Sequence, residues 1–198
     1  MPRIAAPTLA EHRRNQREAI LHAATELLVS QGAAAVTPAA VGAAAGLARS
    51  SVYQYFGSGA AIIAAVIEDA FPRSLALLAS ALADLDDPVE IMTAYVRETL
   101  RQAAEGAHRP AAALRAATLP PECVDRLDEL HREQVAPFLA ALDDLGVPDA
   151  SIRGRLLGGV IEAAMAAVES GAELETVTRA TLDLLHTAVR PSEERAPR

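Results

Sequence analysis

The stretch Thr37-Pro-Ala-Ala-Val-Gly-Ala-Ala-Ala-Gly-Leu-Ala-Arg-Ser-Ser-Val-Tyr-Gln-Tyr-Phe56 forces a helix, a sharp break and a second helix into one short segment. Thr37 can accept a hydrogen bond from a free first-turn amide. Pro38 sits at the first helical position, where its missing N–H costs nothing. Val41, Ala44 and Ala45 give this helix a small apolar face. Gly46 follows the last helical residue, where a left-handed backbone is usual and glycine takes it without strain. The second helix then starts at Ala48 or Arg49. At about 100° per residue, Val52 and Phe56 share one face, Ser50 and Gln54 lie opposite, and Tyr53 and Tyr55 flank the outer side. Such a unit has the form of a helix-turn-helix, which lays its second helix in the major groove of DNA. Most Gly-centred helix breaks are ordinary αα-hairpins, so the surroundings have to decide.

Those surroundings are helical. The 198 residues include 45 alanines, no Trp and 3% aromatics, which leaves few β-branched runs and predicts an all-α fold. A chain this long buries about 70% of its unfolded surface, enough for a substantial core. Net charge is −8, against expectation for a partner of nucleic acid, yet its distribution is uneven. Residues 1–57 carry five Arg against three acids, and the remaining thirteen Arg face twenty-three acids. A local basic face is what DNA requires. Arg3, Arg13, Arg14 and Arg17 cluster near the N-terminus, either as an arm toward DNA or as a solvated tail. All basic residues apart from His are Arg, which reads as coding bias rather than chemistry. Residues 1–10 lack the apolar core of a signal peptide, and Leu156–Val168 is too short and contains Glu162, so no membrane span is expected. With the lone Cys123 this predicts a cytoplasmic protein.

Residues 17–67 resemble the N-terminal domain of the TetR family of transcriptional repressors. The marks are Ile20, Ala23, Ala24, Leu27 and Gly32, then Thr37, Val41, Ala45 and Gly46, then Val52, Tyr53 and Phe56, then Ile62. The resemblance implies a phosphate contact by Thr37 and base-edge contacts by Arg49, Ser50 and Ser51. It implies phosphate or base contacts by Tyr53, Gln54 and Tyr55. Val52 and Phe56 would hold the helix to its domain. Two positions depart from the pattern. Gly59 stands where the family usually has Lys, leaving free amides capped by Ser58 in place of a charged contact. Ala48 stands where Ser or Thr usually caps the recognition helix.

The breakers divide the rest into helices of about 58–70, which connects the two parts, then to about 85, 88–105, a short one after Arg109-Pro110, 122–144 kinked at Pro137, 149–170 and 172–189. A charged tail follows from Pro191, with fraying expected. The domains expected are residues 1–57, a three-helix DNA-binding domain, and residues 58–198, a helical ligand-binding and dimerisation domain. The last two helices look like the family's dimer-forming pair. Leu156, Leu157, Gly159, Val160, Ala163 and Ala164 on one, and Val177, Thr181 and Leu184 on the other, would form a four-helix interface about a twofold axis. The resemblance also implies an effector pocket, for which Met92, Tyr95, Val96, Thr99, Leu114, Cys123, Leu127, His131 and Phe138 are candidates. Each is more often plain core. Such a pocket would take a small, mainly apolar or aromatic molecule.

Enzymatic readings are weak. Glu105-x-x-His108 and Asp128-x-x-His131 lack the companions of a di-iron bundle, and His108, Cys123 and His131 have no tight metal-ligand spacing. No phosphate loop or nucleophile elbow is present. The expectation is no catalytic residue, no cofactor and no metal. The sequence therefore points to a ligand-responsive regulator, most naturally a repressor binding a palindromic operator as a homodimer. An activator of the same family, or a small-molecule binder with a weakened DNA domain, are the alternatives.

Overall fold

The computed structural model describes residues 9–189, and the described residues are helical without strands. The helices are α1 Leu9–Gln31, α2 Pro38–Ala45, α3 Arg49–Tyr53, α4 Gly59–Leu82, α5 Pro88–Ala104, α6 Arg109–Arg115, α7 Pro121–Asp144, α8 Ala150–Glu169 and α9 Leu174–Val189, with a 3-10 turn at Ala33–Ala35. The chain forms two compact units. One contains the residues up to Phe71 together with Arg109–Leu127; the other contains Pro72–His108 and the residues from Asp128 on. Arg3 and the tail from Pro191, both singled out above, lie outside the described residues.

In the first unit, α2 packs against α1 and α3, and α6 packs against α1. Ile20, Ala24 and Leu28 recur every four residues on α1, and all are buried. Val41, Val52, Ile62 and Ile67 complete this core, each at 0% exposure. Residues 9–15 of α1 remain exposed. On α2 the buried residues are Val41 and Gly42, whereas Ala44, expected on the inner face, is exposed. A glycine can be covered by a neighbouring backbone that an alanine would hold off.

Helix α4 corrects the sequence reading. It runs unbroken through Phe71-Pro72 to Leu82 instead of ending there. An interior proline forfeits one backbone hydrogen bond and crowds the preceding turn, at about 3 kcal/mol. Phe71 on one side and Leu78 on the other are both buried, and burial of that order offsets the cost. The same holds for α7, which continues past Pro137 with Phe138, Ala141 and Leu142 buried.

In the second unit, α5 packs against both α8 and α9. The Asp87 carboxylate caps α5 by accepting from the Glu90 amide at 3.0 Å, and Pro88 begins it. Met92, Val96, Leu100 and Ala103 then line one face, in a core shared with Leu157, Ile161, Ala164, Leu182 and Leu185. A polar seam also enters this unit. The Ser74 hydroxyl donates to Gln102 Oε1, the Gln102 amide donates to Glu98 at 2.8 Å, and the Arg101 guanidinium grips Glu98 at 2.7 and 2.8 Å. Arg101 holds the Glu98 carboxyl below its ordinary range, against the opposing effect of partial burial.

Tyr95 lies in this core with its ring 5.2 Å from that of Phe138. Burial pushes its hydroxyl, hydrogen-bonded with Thr99, up to about 12 from 10.0. Between those values the folded chain keeps a proton that the unfolded chain releases, so stability falls as pH rises through this window. Tyr95→Phe is expected to flatten that alkaline loss. Chemical denaturation at stepped pH, with ultraviolet absorbance following phenolate formation, checks it; an unchanged slope would refute it.

Candidate DNA-binding interface

The helix-turn-helix is assembled by local chemistry. Thr37 is extended and accepts from the Ala40 amide at 3.2 Å, with Pro38 opening α2. Gly46 ends the helix at φ 68°, a left-handed conformation, and the Leu47 amide donates back to the Gly42 carbonyl at 2.8 Å. Gly42 lets α3 approach. A Cβ there would stand 3.0 Å from the Leu47 carbonyl oxygen and 3.2 Å from a Val52 methyl. Ala48 precedes α3 without a side-chain cap.

Helix α3 ends at Tyr53, yet the Phe56 amide still donates to the Val52 carbonyl at 3.0 Å. That turn keeps Phe56 on the buried side with Val52. The outward residues are Arg49, Ser50, Tyr53 and Gln54, all exposed, with Ser51 half-buried. Arg49 and Tyr53 work as a pair. The guanidinium donates to the Tyr53 hydroxyl at 3.0 Å and lies 5.3 Å from its ring centre. Tyr55 faces inward more than the sequence suggested. It is half-buried, and its hydroxyl donates to Gln16 Oε1 at 2.7 Å, tying the end of the recognition unit to α1. Arg17, also on α1, stacks over the Phe56 ring at 5.8 Å.

Helix α4 begins close to the backbone that leads into α2. Ser58 accepts from the Ala61 amide at 3.1 Å, capping it. Thr37 and Ser58 are both exposed, so these two capped helix starts are open to solvent. Helix N-termini carry unsatisfied amides and a partial positive charge, which suit phosphate oxygens. Residues 20–66, which contain α2, α3 and the start of α4, match the family model described as bacterial regulatory proteins, tetR family. That match spans the helix-turn-helix unit, about a quarter of the chain, and shows what this part is similar to.

Solved structures extend the likeness of fold over most of the chain. The TetR-family regulator PfmR from Thermus thermophilus has a TM-score of 0.70 at 22% identity, covering 87% of this chain and 99% of its own. FadR from Bacillus subtilis, solved with stearoyl-CoA, has a TM-score of 0.72 at 16% identity, covering 87% and 99%. AibR, solved with isovaleryl coenzyme A and operator DNA, gives 0.72 at 15% identity, covering 85% and 97%. At these identities the likeness is one of fold. Comparison with curated proteins found no match. No helix among the described residues is long and apolar enough to cross a membrane.

The remaining site candidates fall as follows. Met92, Tyr95, Val96, Thr99 and Phe138 are buried in the second unit, where His131 is half-buried. Leu114, Cys123 and Leu127 are buried residues of the first unit. Burial raises the Cys123 thiol above its ordinary range, with the Glu122 charge adding to it. Of the interface candidates, Leu157, Ala164 and Thr181 are buried within the protomer. Leu156, Gly159, Ala163 and Leu184 are exposed, and Val160 and Val177 are half-buried. His108 Nδ1 lies 3.5 Å from Glu169 Oε1, and no three His, Cys, Asp or Glu side chains converge among the described residues.

Gly42 and Gln16 were not singled out from sequence. Gly42 had a readable signal. A glycine inside an alanine helix costs about 1 kcal/mol relative to Ala, and such a cost usually reflects a close approach. Gln16 had none, because its partner is 39 residues away.

Proposed function

We propose that the chain is a ligand-responsive transcriptional repressor, a cytoplasmic DNA-binding protein rather than an enzyme, that grips a palindromic operator as a homodimer. The observation that carries this is the exposed polar face of α3, flanked by the Thr37 and Ser58 caps. Arg49, Ser50, Ser51 and Gln54 meet base edges; Thr37, Tyr53 and Ser58 meet phosphates; Tyr55 serves mainly through its bond to Gln16. The division of labour falls near residue 57, with the helix from 58 connecting DNA reading to effector sensing and pairing.

Homodimerisation is supported by the outer faces of α8 and α9. Ile152, Leu156 and Leu184 are 58%, 67% and 59% exposed. On α8, Ile152, Leu156, Gly159 and Ala163 follow a four-three-four spacing, a stripe suited to close helix packing. A palindromic operator read in successive major-groove turns would need two α3 helices about 34–36 Å apart, or wider for a longer site.

FadR and AibR, solved with acyl-CoA thioesters, make an acyl-CoA or another small, mainly apolar molecule the effector class to test first. Tyr95 and Thr99 would supply polar contacts within an otherwise apolar wall formed with Met92, Val96 and Phe138. Bound effector would favour a state with mis-spaced recognition helices. A switch from mostly bound to mostly released needs a preference of about 5.5 kcal/mol between states, and DNA must weaken effector binding reciprocally.

The deciding experiment captures genomic fragments with the purified chain, sequences them, and adds acyl-CoAs of graded length to the complex. A shared inverted repeat released by one chain-length range is expected. Intact dimer that enriches no sequence at low salt sinks the repressor reading and favours a small-molecule binder. Within that operator, Arg49→Ala is expected to cost about 1–3 kcal/mol and relax preference at one base pair. Tyr53→Ala weakens all sequences and also frees Arg49, so the two losses should be non-additive in a double-mutant cycle. Simple additivity would mean that the pair plays no part in binding.

A further inference from the structure

The start of α4 is pressed against the backbone that leads into α2. A Cβ built on Gly59 would stand 2.5 Å from the Val36 carbonyl oxygen, 3.6 Å from the Val36 carbonyl carbon and 3.9 Å from the Thr37 Cα. The first of these is an impossible contact, and the atom met belongs to the backbone, which cannot turn aside as a side-chain tip would. Nor is Val36 free to retreat. It is buried at 3% exposure, its amide donates to the Ala33 carbonyl at 3.1 Å, and Thr37 next to it caps α2. The φ of Gly59 is not left-handed, so the glycine is there for space alone.

We propose that Gly59 is a positioning residue that fixes the separation of the α2 and α4 starts, and that no side chain, charged or neutral, can occupy this place without moving one from the other. The inference rests on the DNA reading above, in which Thr37 and Ser58 address phosphates from these two starts. Phosphate contacts set the register of a protein on the duplex, so the spacing of their donors is part of operator fit. In this chain the loss of a cation at position 59 is the consequence of closing α4 onto Val36.

The test compares wild type, Gly59→Ala and Gly59→Lys on the captured operator across a salt series. A steric role predicts that both variants bind about tenfold more weakly, a loss comparable to one mismatched base pair, with an unchanged salt slope. A merely vacant position predicts the reverse: Lys binds tighter with a slope steeper by about one unit, and Ala matches wild type. That result overturns the proposal. Amide hydrogen exchange without DNA is the second reading. Faster exchange at Ala40 and Ala61 in Gly59→Ala, in a dimer with wild-type helical content, supports the packing; unchanged exchange overturns it. Failure of the wild type to bind any operator instead overturns the DNA reading and the functional half of this proposal, while the exchange result still decides the packing half.

Discussion

Gly42→Val is expected to reduce operator binding to the non-specific level while the second unit stays folded. A Cβ alone at this position already sits 3.0 Å from the Leu47 carbonyl oxygen and 3.2 Å from the Val52 side chain. Valine adds two methyl groups to a position that is buried and enclosed by the turn. The turn itself is closed by the hydrogen bond from Leu47 to Gly42. Relief requires α3 to move away from α2, because Val52 is 0% exposed and has no space behind it. Overpacking of this kind costs about 1–3 kcal/mol in stability. The functional loss should be larger, since a tilted recognition helix forfeits all base contacts together. Specific sites bind about 10³-fold or more tighter than random DNA, so the operator should fall by at least that factor. Fluorescence anisotropy on operator and scrambled duplexes measures it, and a circular-dichroism melt reports the second unit. Retention of even tenfold operator preference would show that α2 and α3 tolerate separation.

What could be read from sequence followed the range of the forces involved. Thr37, Pro38 and Gly46 act on their own neighbours, and the bounds of α2 were legible to the residue. Asp87 and Pro88 fixed the start of α5 in the same way. Phe71-Pro72 misled because its local rule is sound but weaker than burial on both sides of the proline. Tyr55 was read as outward from helical periodicity, but α3 ends before it and Gln16 of α1 supplies its partner. Gly59 looked from sequence like a lost charge. Only the fold brings the Val36 carbonyl to it and reveals a steric condition. The apolar width of α8 was legible too, but not that it serves two sides: Leu157, Ile161 and Ala164 face the core while Ile152, Leu156 and Ala163 stay uncovered.

That second side of α8 yields the other large expected effect. In the double variant Leu156→Glu, Leu184→Glu, the proposed dimer should dissociate to monomers at micromolar concentration. Both leucines are more than half exposed in the protomer, at 67% and 59%, so the substitutions remove little internal packing. Surface changes of this type alter protomer stability by about 0.5 kcal/mol or less. Across a twofold axis each substitution appears twice, placing four new carboxylates in a surface otherwise lined by Ile152, Gly159 and Ala163. An unpaired charge buried in such a seam costs several kcal/mol, so dimer dissociation should rise by about a thousandfold or more. Sedimentation velocity reads the mass, and a melt confirms that the fold persists. Operator affinity should collapse with the dimer, because a monomer presents one α3 to one half-site. A single half-site should then bind the variant and wild type about equally. A folded variant that still sediments as a dimer would place the subunit contact elsewhere than on the outer faces of α8 and α9.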